Sequence, residues 1–168
     1  MEIRYIREND DRLAISHIYE EGWKSAYRGI VPQDYLDSIP EGRWASCLDQ
    51  EGVGSLVVEE GGKLIGTSSY SQSRWEQFSG AGEIISIYLL PEYIGRGYGG
   101  LLFEAVVGEL KKLGYQEIFL WVLEENIRAR RFYEKCGFIP SGHCMEHEIG
   151  GKVLREVRYY CLFGECRG

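Results

Sequence analysis

Hydrophobic residues recur along the chain with two different periods, which predict strands and helices in alternation. Ile3 and Tyr5 alternate with their neighbours and indicate a first strand. The next segment has helical spacing and follows Asp10 or Asp11, either of which is a good capping residue. Its apolar positions are Leu13, Ile15, Ile18 and Tyr19.

The rest of the chain divides into short elements bounded by glycines. Two strand-like runs, residues 55–60 and 63–71, flank Gly61-Gly62, which is a two-residue hairpin signal. The later elements are a strand over 83–90, a helix over 98–113 ended by Gly114, a strand over 117–123, a helix over 126–136 ended by Gly137, and a hairpin at Gly150-Gly151. Because no repeat or linker interrupts this order, it predicts one α/β domain over residues 1–168.

The charge balance of the chain argues against one class of partner and favours one class of substrate. The chain has 19 Lys and Arg against 26 Asp and Glu, a net charge of −7. A nucleic-acid-binding protein normally carries a basic surface, so we expect no nucleic-acid partner. An acidic protein is compatible with a cationic substrate such as an amine.

Cysteine usage and the N-terminus predict a cytoplasmic protein. An odd number of cysteines without a C-x-x-C pair argues against a disulfide framework or a structural zinc site. These cysteines are Cys47, Cys136, Cys144, Cys161 and Cys166. The N-terminal MEIRYIREND is charged, and no apolar run approaches the ~20 residues that span a membrane, so we expect no membrane partner.

The segment PEYIGRGYGGLL, residues 91–102, is rich in glycine at a strand-to-helix junction. Gly95, Gly97 and Gly100 fit the dinucleotide pattern G-x-G-x-x-G, and Glu124 or Glu125 lies where a ribose-binding carboxylate belongs. Two features argue against that interpretation, since residues 91–93 separate the strand from the first glycine and only one further βα unit follows. A nucleoside-triphosphate loop is excluded because no Lys-Ser or Lys-Thr follows the glycines.

Two interpretations of this loop remain beside the dinucleotide one. A glycine-lined turn can simply pack a helix closely against a sheet. Alternatively, Gly95, Gly97, Gly99 and Gly100 remove side chains, so several N–H groups and the positive end of the helix dipole converge on an anion. Arg96 adds a cation, and the loop then binds the phosphate of a large cofactor.

A second motif lies downstream, in LWVLEENIRARRFYEKCGF, residues 120–138. If a helix starts at Asn126, the side chains of Arg130 and Tyr133 lie on the same face as that of Asn126. Ala129 lies beside this face, and Phe132 points more toward the core. This face can form a groove wall. It can equally be the edge of an ordinary amphipathic helix with a tyrosine at the core boundary.

Together the two stretches resemble the GNAT N-acetyltransferase superfamily, most strongly over residues 83–138. Its cofactor loop has the form Gln/Arg-x-x-Gly-x-Gly/Ala and is matched by Ile94, Gly95, Arg96, Gly97, Tyr98 and Gly99, although Ile94 replaces the usual Gln or Arg. Its later signature is matched by Asn126, Ala129, Phe132, Tyr133, Lys135, Gly137 and Phe138. The resemblance implies an α/β (α+β) fold with a mixed, mostly antiparallel sheet, whose central parallel strands splay apart between flanking helices.

The resemblance also implies acetyl-CoA as the acyl donor and no metal. The backbone amides of six consecutive residues would hold the pyrophosphate: Gly95, Arg96, Gly97, Tyr98, Gly99 and Gly100. The backbone of Ile87, Tyr88 and Leu89 would pair with the pantetheine arm like an added strand. Asn126 would bond that arm, and Ala129 and Phe132 would line it.

Two catalytic roles follow from the same resemblance. Tyr133 would be the general acid that protonates the departing thiolate, with a buried structural tyrosine as the alternative. Glu83 is the candidate base, directly or through a water, with a surface or capping carboxylate as the alternative. A backbone N–H near Leu89 would polarise the thioester carbonyl.

The acceptor and the assembly stay open at this level. We expect a small-molecule amine; a peptide N-terminus or lysine, or a non-catalytic acyl-CoA-binding module, is the alternative. Aromatic and acidic residues before Glu83 can shape the acceptor site: Glu20, Glu21, Trp23, Tyr27, Asp34 and Trp75. His143 and His147 lie four apart, but on an expected strand that spacing is too long for one metal ion. Relatives often pair as dimers, which makes a homodimer a further expectation.

Overall fold

Seven strands form one mixed sheet in the computed structural model, which describes residues 1–164. Cys166 lies outside the described residues. The strands are β1 (Glu2–Tyr5), β2 (Val53–Glu60), β3 (Lys63–Gln72), β4 (Gly82–Leu89), β5 (Glu117–Leu123), β6 (Ile139–Ile149) and β7 (Lys152–Leu162), in the spatial order β1-β2-β3-β4-β5-β7-β6. The α-helices of the described chain are α1 (Arg12–Ala26), α2 (Gln33–Asp37), α3 (Tyr98–Lys112) and α4 (Ile127–Lys135).

The hairpins and helix boundaries agree with the sequence pattern to within about two residues. Gly61 and Gly62 connect β2 to β3 with φ of 57° and 79°, which residues other than glycine rarely adopt. Asp11 is the N-cap of α1, because its carboxylate accepts from the N–H groups of Leu13 and Ala14 at 2.8 and 3.3 Å. The other candidate cap, Asp10, instead binds the Arg4 guanidinium.

The parallel pair at the centre of the sheet is joined over a very short distance. Strands β4 and β5 pair only at Gly82 with Ile118 and at Glu83 with Phe119. Every other pairing in the sheet is antiparallel. Beyond Glu83 the facing edges of the two strands are unpaired, so the sheet opens into a gap. The predicted mixed sheet with splayed central strands is therefore confirmed.

Helices cover both faces of this sheet, so the gap lies between α3 and α4 on one face and α1 on the other. Leu102, Val106 and Leu110 of α3 are buried against the sheet together with Tyr133 of α4. On the opposite face α1 buries Ile15 against Val57 of β2. Burial of such side chains contributes about 1.5–3 kcal/mol each and fixes the helices on either side of the opening.

Candidate acyl-donor and acceptor site

The glycine-rich loop presents a run of unpaired N–H groups. Gly95 and Gly97 have φ of 81° and 88°, and Gly97 is the N-cap of α3 without any side-chain cap. The six consecutive N–H groups from Gly95 to Gly100 donate to no acceptor within residues 1–164. Unpaired amides at a helix N-terminus form an anion-binding site, since the helix dipole adds to their partial positive charge.

Side chains near the loop leave it open and add positive charge at its rim. A Cβ built on Gly99 would lie 3.7 Å from both Leu89 and Phe132, which brings loop, strand β4 and helix α4 together. The Arg96 guanidinium lies 5.4 Å from the Tyr93 ring centroid and is exposed. Ile94 contributes no polar side chain, so its position offers the backbone alone.

Strand β4 turns part of its backbone toward the gap. The N–H of Leu90 donates to the Ile65 carbonyl at 2.8 Å. Because hydrogen-bonded and non-bonded pairs alternate between antiparallel strands, the N–H and C=O groups of Leu89 and Ile87 face away from β3 and into the gap. Tyr88 has its backbone toward β3 and its side chain on the α1 face.

Helix α4 supplies the wall on the other side of the gap. The Asn126 amide oxygen accepts from the Ala129 N–H at 3.2 Å and caps the helix, whereas its amide nitrogen donates to no described residue. Ala129 and Phe132 are partly buried, and Phe132 packs edge-on against Phe103 at 5.6 Å. This wall is apolar with one free amide donor at its N-terminal end.

Tyr133 is buried, and its hydroxyl has no hydrogen-bond partner in the described chain. The ring packs against Phe103 and Phe132 at 5.8 and 5.5 Å. Burial, with a smaller contribution from the Tyr27 phenol, raises the pKa of Tyr133 above its ordinary value. The phenol therefore stays protonated at neutral pH and keeps a proton to donate.

A pair of phenols lies on the α1 face of the gap. The Tyr27 and Tyr88 hydroxyls are hydrogen-bonded at 2.8 Å. Burial raises the pKa of Tyr27 to about 12 and that of Tyr88 well above its ordinary value. Both are neutral hydrogen-bonding groups over the whole physiological pH range.

The Glu83 carboxylate is 1% exposed and has its hydrogen-bonding capacity occupied. It accepts from Arg74 at three atoms, Nη2 at 2.7 Å, Nε at 3.1 Å and the backbone N at 3.1 Å, and from Trp75 Nε1 at 3.3 Å. This pairing raises the pKa of Arg74. The role of Glu83 as the base stays a prediction, and the capping alternative has a specific partner in Arg74.

An aromatic cavity of about 270 Å³ lies between α1 and strands β2–β4. The Tyr19 ring lies 5.6 Å from Trp44 and 5.3 Å from Tyr88, and Trp23 lies 5.6 Å from Trp44. Polar groups at its lining are Ser55, Ser69, Ser86, Gln50 and Arg74. The cavity thus adjoins β4 on the face opposite α3 and offers apolar surface with a few polar groups, as ligand pockets usually do.

Sequence reasoning identified some residues of this face and missed others. Trp23 lines the cavity and Trp75 binds Glu83, but Glu20 is buried and accepts from the Gly42 N–H at 2.6 Å. Arg74 was not predicted because it has no motif around it. Glu156 of β7 was also missed, because its place opposite Leu123 follows from the pairing of β7 with β5 and not from a local motif.

Arg130 and Glu134 of α4 are connected through a tyrosine of β7. The Arg130 Nε donates to the Tyr159 hydroxyl at 3.1 Å, and that hydroxyl donates to Glu134 at 2.8 Å. The tyrosine stands between the two charges because α4 packs on β7. Its neighbours Arg128, Arg131 and Lys135 are exposed.

The histidines of β6 have separate partners. His143 packs edge-on against Phe78 at 5.0 Å, and His147 lies 3.8 Å from Glu156. No group of His, Cys, Asp and Glu within residues 1–164 is arranged to hold a metal ion. None of the helices in that range is both long and apolar enough to cross a membrane.

Comparison with known proteins defines the class of this site. Residues 14–138 match the sequence profile of the Acetyltransferase (GNAT) family. The chain is 32% identical over 153 residues to the uncharacterized N-acetyltransferase YuaI of Bacillus subtilis, covering 88% of this chain and 86% of that protein. It is 27% identical to a spermidine N(1)-acetyltransferase of Vibrio cholerae, covering 96% and 87%.

A solved structure shows the same fold. The PaiA N-acetyltransferase of Thermoplasma acidophilum, solved in complex with coenzyme A, superposes with a TM-score of 0.75 at 21% identity, covering 97% of this chain and all of that one. The chain therefore belongs to the GNAT acetyltransferase family and is an acyltransferase of the N-acetyltransferase type. The predicted family, fold and enzyme class are confirmed.

Proposed function

We propose that the protein transfers an acetyl group from acetyl-CoA directly to a primary amine of a small molecule. The observation that carries the proposal is the junction of two features, a gap in the sheet and six unpaired N–H groups at its end. A pyrophosphate fits the amides, and an extended arm fits the unpaired β4 edge.

Several described residues support coenzyme A as the ligand. Gly95, Gly97 and Gly100 have open space where a side chain would lie, and the Asn126 amide nitrogen, which donates to no described residue, can donate to a carbonyl of the arm. The exposed Arg96 guanidinium at the rim supports binding of a further phosphate. When bound, acetyl-CoA supplies an activated thioester, and the protein supplies donors, exclusion of water and proton transfer.

Tyr133 is the proposed general acid. Its phenol is neutral, free of hydrogen bonds to described residues, and close to the wall formed by Phe132. The Leu89 N–H, which points into the gap, is the proposed donor to the carbonyl oxygen. A small cavity beside β4 favours a small acceptor, and the net charge of −7 favours a cationic one.

A turnover assay tests the proposal. Release of the CoA thiol from acetyl-CoA is followed with polyamines, including the spermidine named for the Vibrio relative, with aminoglycosides and with short peptides. Amine-dependent release with a small amine supports the proposal. Release only with peptides would contradict the acceptor class, and absence of release despite tight binding of acetyl-CoA would favour a non-catalytic module.

A further inference from the structure

We propose that Glu156 of β7, and not Glu83, is the general base that removes a proton from the acceptor ammonium. This inference rests on the proposed function, since it needs an amine acceptor. Glu83 lies opposite Phe119 of β5 and Glu156 lies opposite Leu123 of the same strand, so both side chains are on one face of the sheet. Glu83 is bound by Arg74, whereas the one ion-pair partner of Glu156 within residues 1–164 is His147.

The position of Glu156 places its carboxylate where the sheet is open. It lies opposite Leu123 of β5 and Met145 of β6. Strand β5 is paired with β4 only near Ile118 and Phe119, so Leu123 is at the far, unpaired end of the gap. Leu123 itself packs near Tyr27, on the α1 face of the sheet.

The two carboxylates differ in what they bind. Glu83 accepts four hydrogen bonds from Arg74 and Trp75 and is sealed from solvent. Glu156 has a single partner in the described chain, His147 Nε2 at 3.8 Å, and its side chain is 21% exposed. A base must have a free lone pair within reach of the proton, and Glu156 alone meets that condition.

The charged groups around Glu156 are few. His147 of β6 lies 3.8 Å from it, and Arg74, Glu83 and the Tyr27 phenol at the end of α1 interact with it electrostatically. The cations next to it along β7 are occupied: Lys152 binds Glu125, Arg155 lies near Glu124, and Arg158 binds Glu117. Partial burial raises the pKa of Glu156, with Glu83 adding to the rise and His147 and Arg74 opposing it. A raised pKa brings a carboxylate closer to the pH at which a general base is effective.

The proton balance of the reaction assigns a role to each end of the gap. Acetyl transfer to an ammonium forms one N–C bond, breaks one C–S bond and removes two protons from nitrogen. Glu156 takes the first proton before attack and returns it to solvent. The second proton replaces the one that Tyr133 gives to the departing sulfur.

The test compares Glu156→Gln and Glu83→Gln with Glu148→Gln, an exposed β6 carboxylate without a described partner. The best amine of the turnover panel is used, and kcat/KM is measured against pH. E156Q should lower kcat/KM about 100-fold and remove the acidic limb of the profile. E83Q should keep that limb, and E148Q should leave the whole profile unchanged.

A readout on the ligand-free protein accompanies the activity. Because the folded pKa of Glu156 is raised, its stabilising contribution is present below the unfolded pKa of about 4.3 and is lost as pH rises through the folded pKa. The Tm of wild type relative to E156Q should therefore fall with rising pH, by about 3 °C for each unit of pKa elevation.

The outcomes separate this inference from the proposed function. A retained acidic limb in E156Q, a rise in KM alone, or a pH-independent Tm difference overturns the role of Glu156 in an enzyme that is still active. Loss of the limb in E83Q assigns the base to Glu83. Failure of the wild type to acetylate any amine overturns the proposed function, and with it the need for a base.

Discussion

The two sides of the gap present different kinds of groups to the proposed ligands. On the donor side the contacts are backbone groups, the N–H groups of Gly95 to Gly100 and the open edges of Leu89 and Ile87. On the proposed acceptor side they are side chains: Arg74 and Glu83 form an ion pair, and Glu156 of β7 lies on the same face of the sheet.

The two kinds of site differ in how far they depend on the identity of individual side chains. A backbone cradle needs glycines at fixed spacing and is insensitive to most other residues. A side-chain cluster changes its chemistry with each substitution. The proposed donor side is therefore legible as a local sequence motif, whereas the proposed acceptor side is not.

The largest effect is expected from breaking the donor side at Gly97. Gly97→Val places a β-branched side chain at a φ of 88° and within the run of free amides. Losing two hydrogen bonds to a charged phosphate, about 2 kcal/mol each, should weaken CoA binding about 1,000-fold. Titration calorimetry with CoA measures this change.

Gly108→Ala is the matched control for that substitution. Gly108 lies in α3, has ordinary helical φ, and has no atom within 4 Å of the added Cβ. It should bind CoA like the wild type and be slightly more stable. Equal CoA affinity in G97V and G108A would contradict the backbone-cradle account.

The next effect concerns Tyr133. Tyr133→Phe removes the proposed proton donor and no hydrogen bond to described residues, so kcat should fall about 100-fold while CoA affinity stays the same. Tyr115→Phe serves as the control, since that ring packs near Gly82 at the paired end of the strands. An unchanged kcat in Y133F would remove Tyr133 from the mechanism.

A smaller effect is expected at the Arg74–Glu83 ion pair. Arg74→Gln leaves the buried Glu83 without its ion pair, which should lower the free energy of unfolding by about 1–2 kcal/mol because Arg74 itself is half exposed. Urea denaturation of R74Q, E83Q and the double variant gives the coupling between them. Additive effects would show that the pair does not stabilise the fold.

The smallest effect is expected at the phenol pair. Tyr27→Phe removes the hydrogen bond to Tyr88 and should cost about 1 kcal/mol at neutral pH. Since the folded pKa of Tyr27 is raised to about 12, its contribution is complete below pH 10 and is lost between about pH 10 and 12. Thermal unfolding at pH 7 and near pH 11 should show a smaller alkaline loss in Y27F than in the wild type.

The sequence was sufficient for elements whose signal is local. Gly61-Gly62 fixed a hairpin, Gly114 ended α3, and the glycine spacing from Gly95 indicated an anion-binding loop. In each case the residues that determine the structure are adjacent in the chain. The splayed β4–β5 pair was expected only from the resemblance to a family, because strand separation leaves no periodic pattern.

The acceptor side was not predictable for a physical reason. Glu83 was singled out by its position, but the partner that occupies its carboxylate, Arg74, lies beyond the end of another strand. Glu156 reaches the same face because β7 pairs with β5, a contact between segments more than 30 residues apart. Register across a sheet, and not any local motif, decides which charges meet.

The central claim is that the gap and its amides bind coenzyme A. Thermal unfolding without ligand and with acetyl-CoA, free CoA or NAD tests it most directly. At 100 times the dissociation constant, a ligand should add about 2.7 kcal/mol of stability. The account predicts a rise in Tm with acetyl-CoA and CoA and none with NAD; a rise with NAD alone would contradict it.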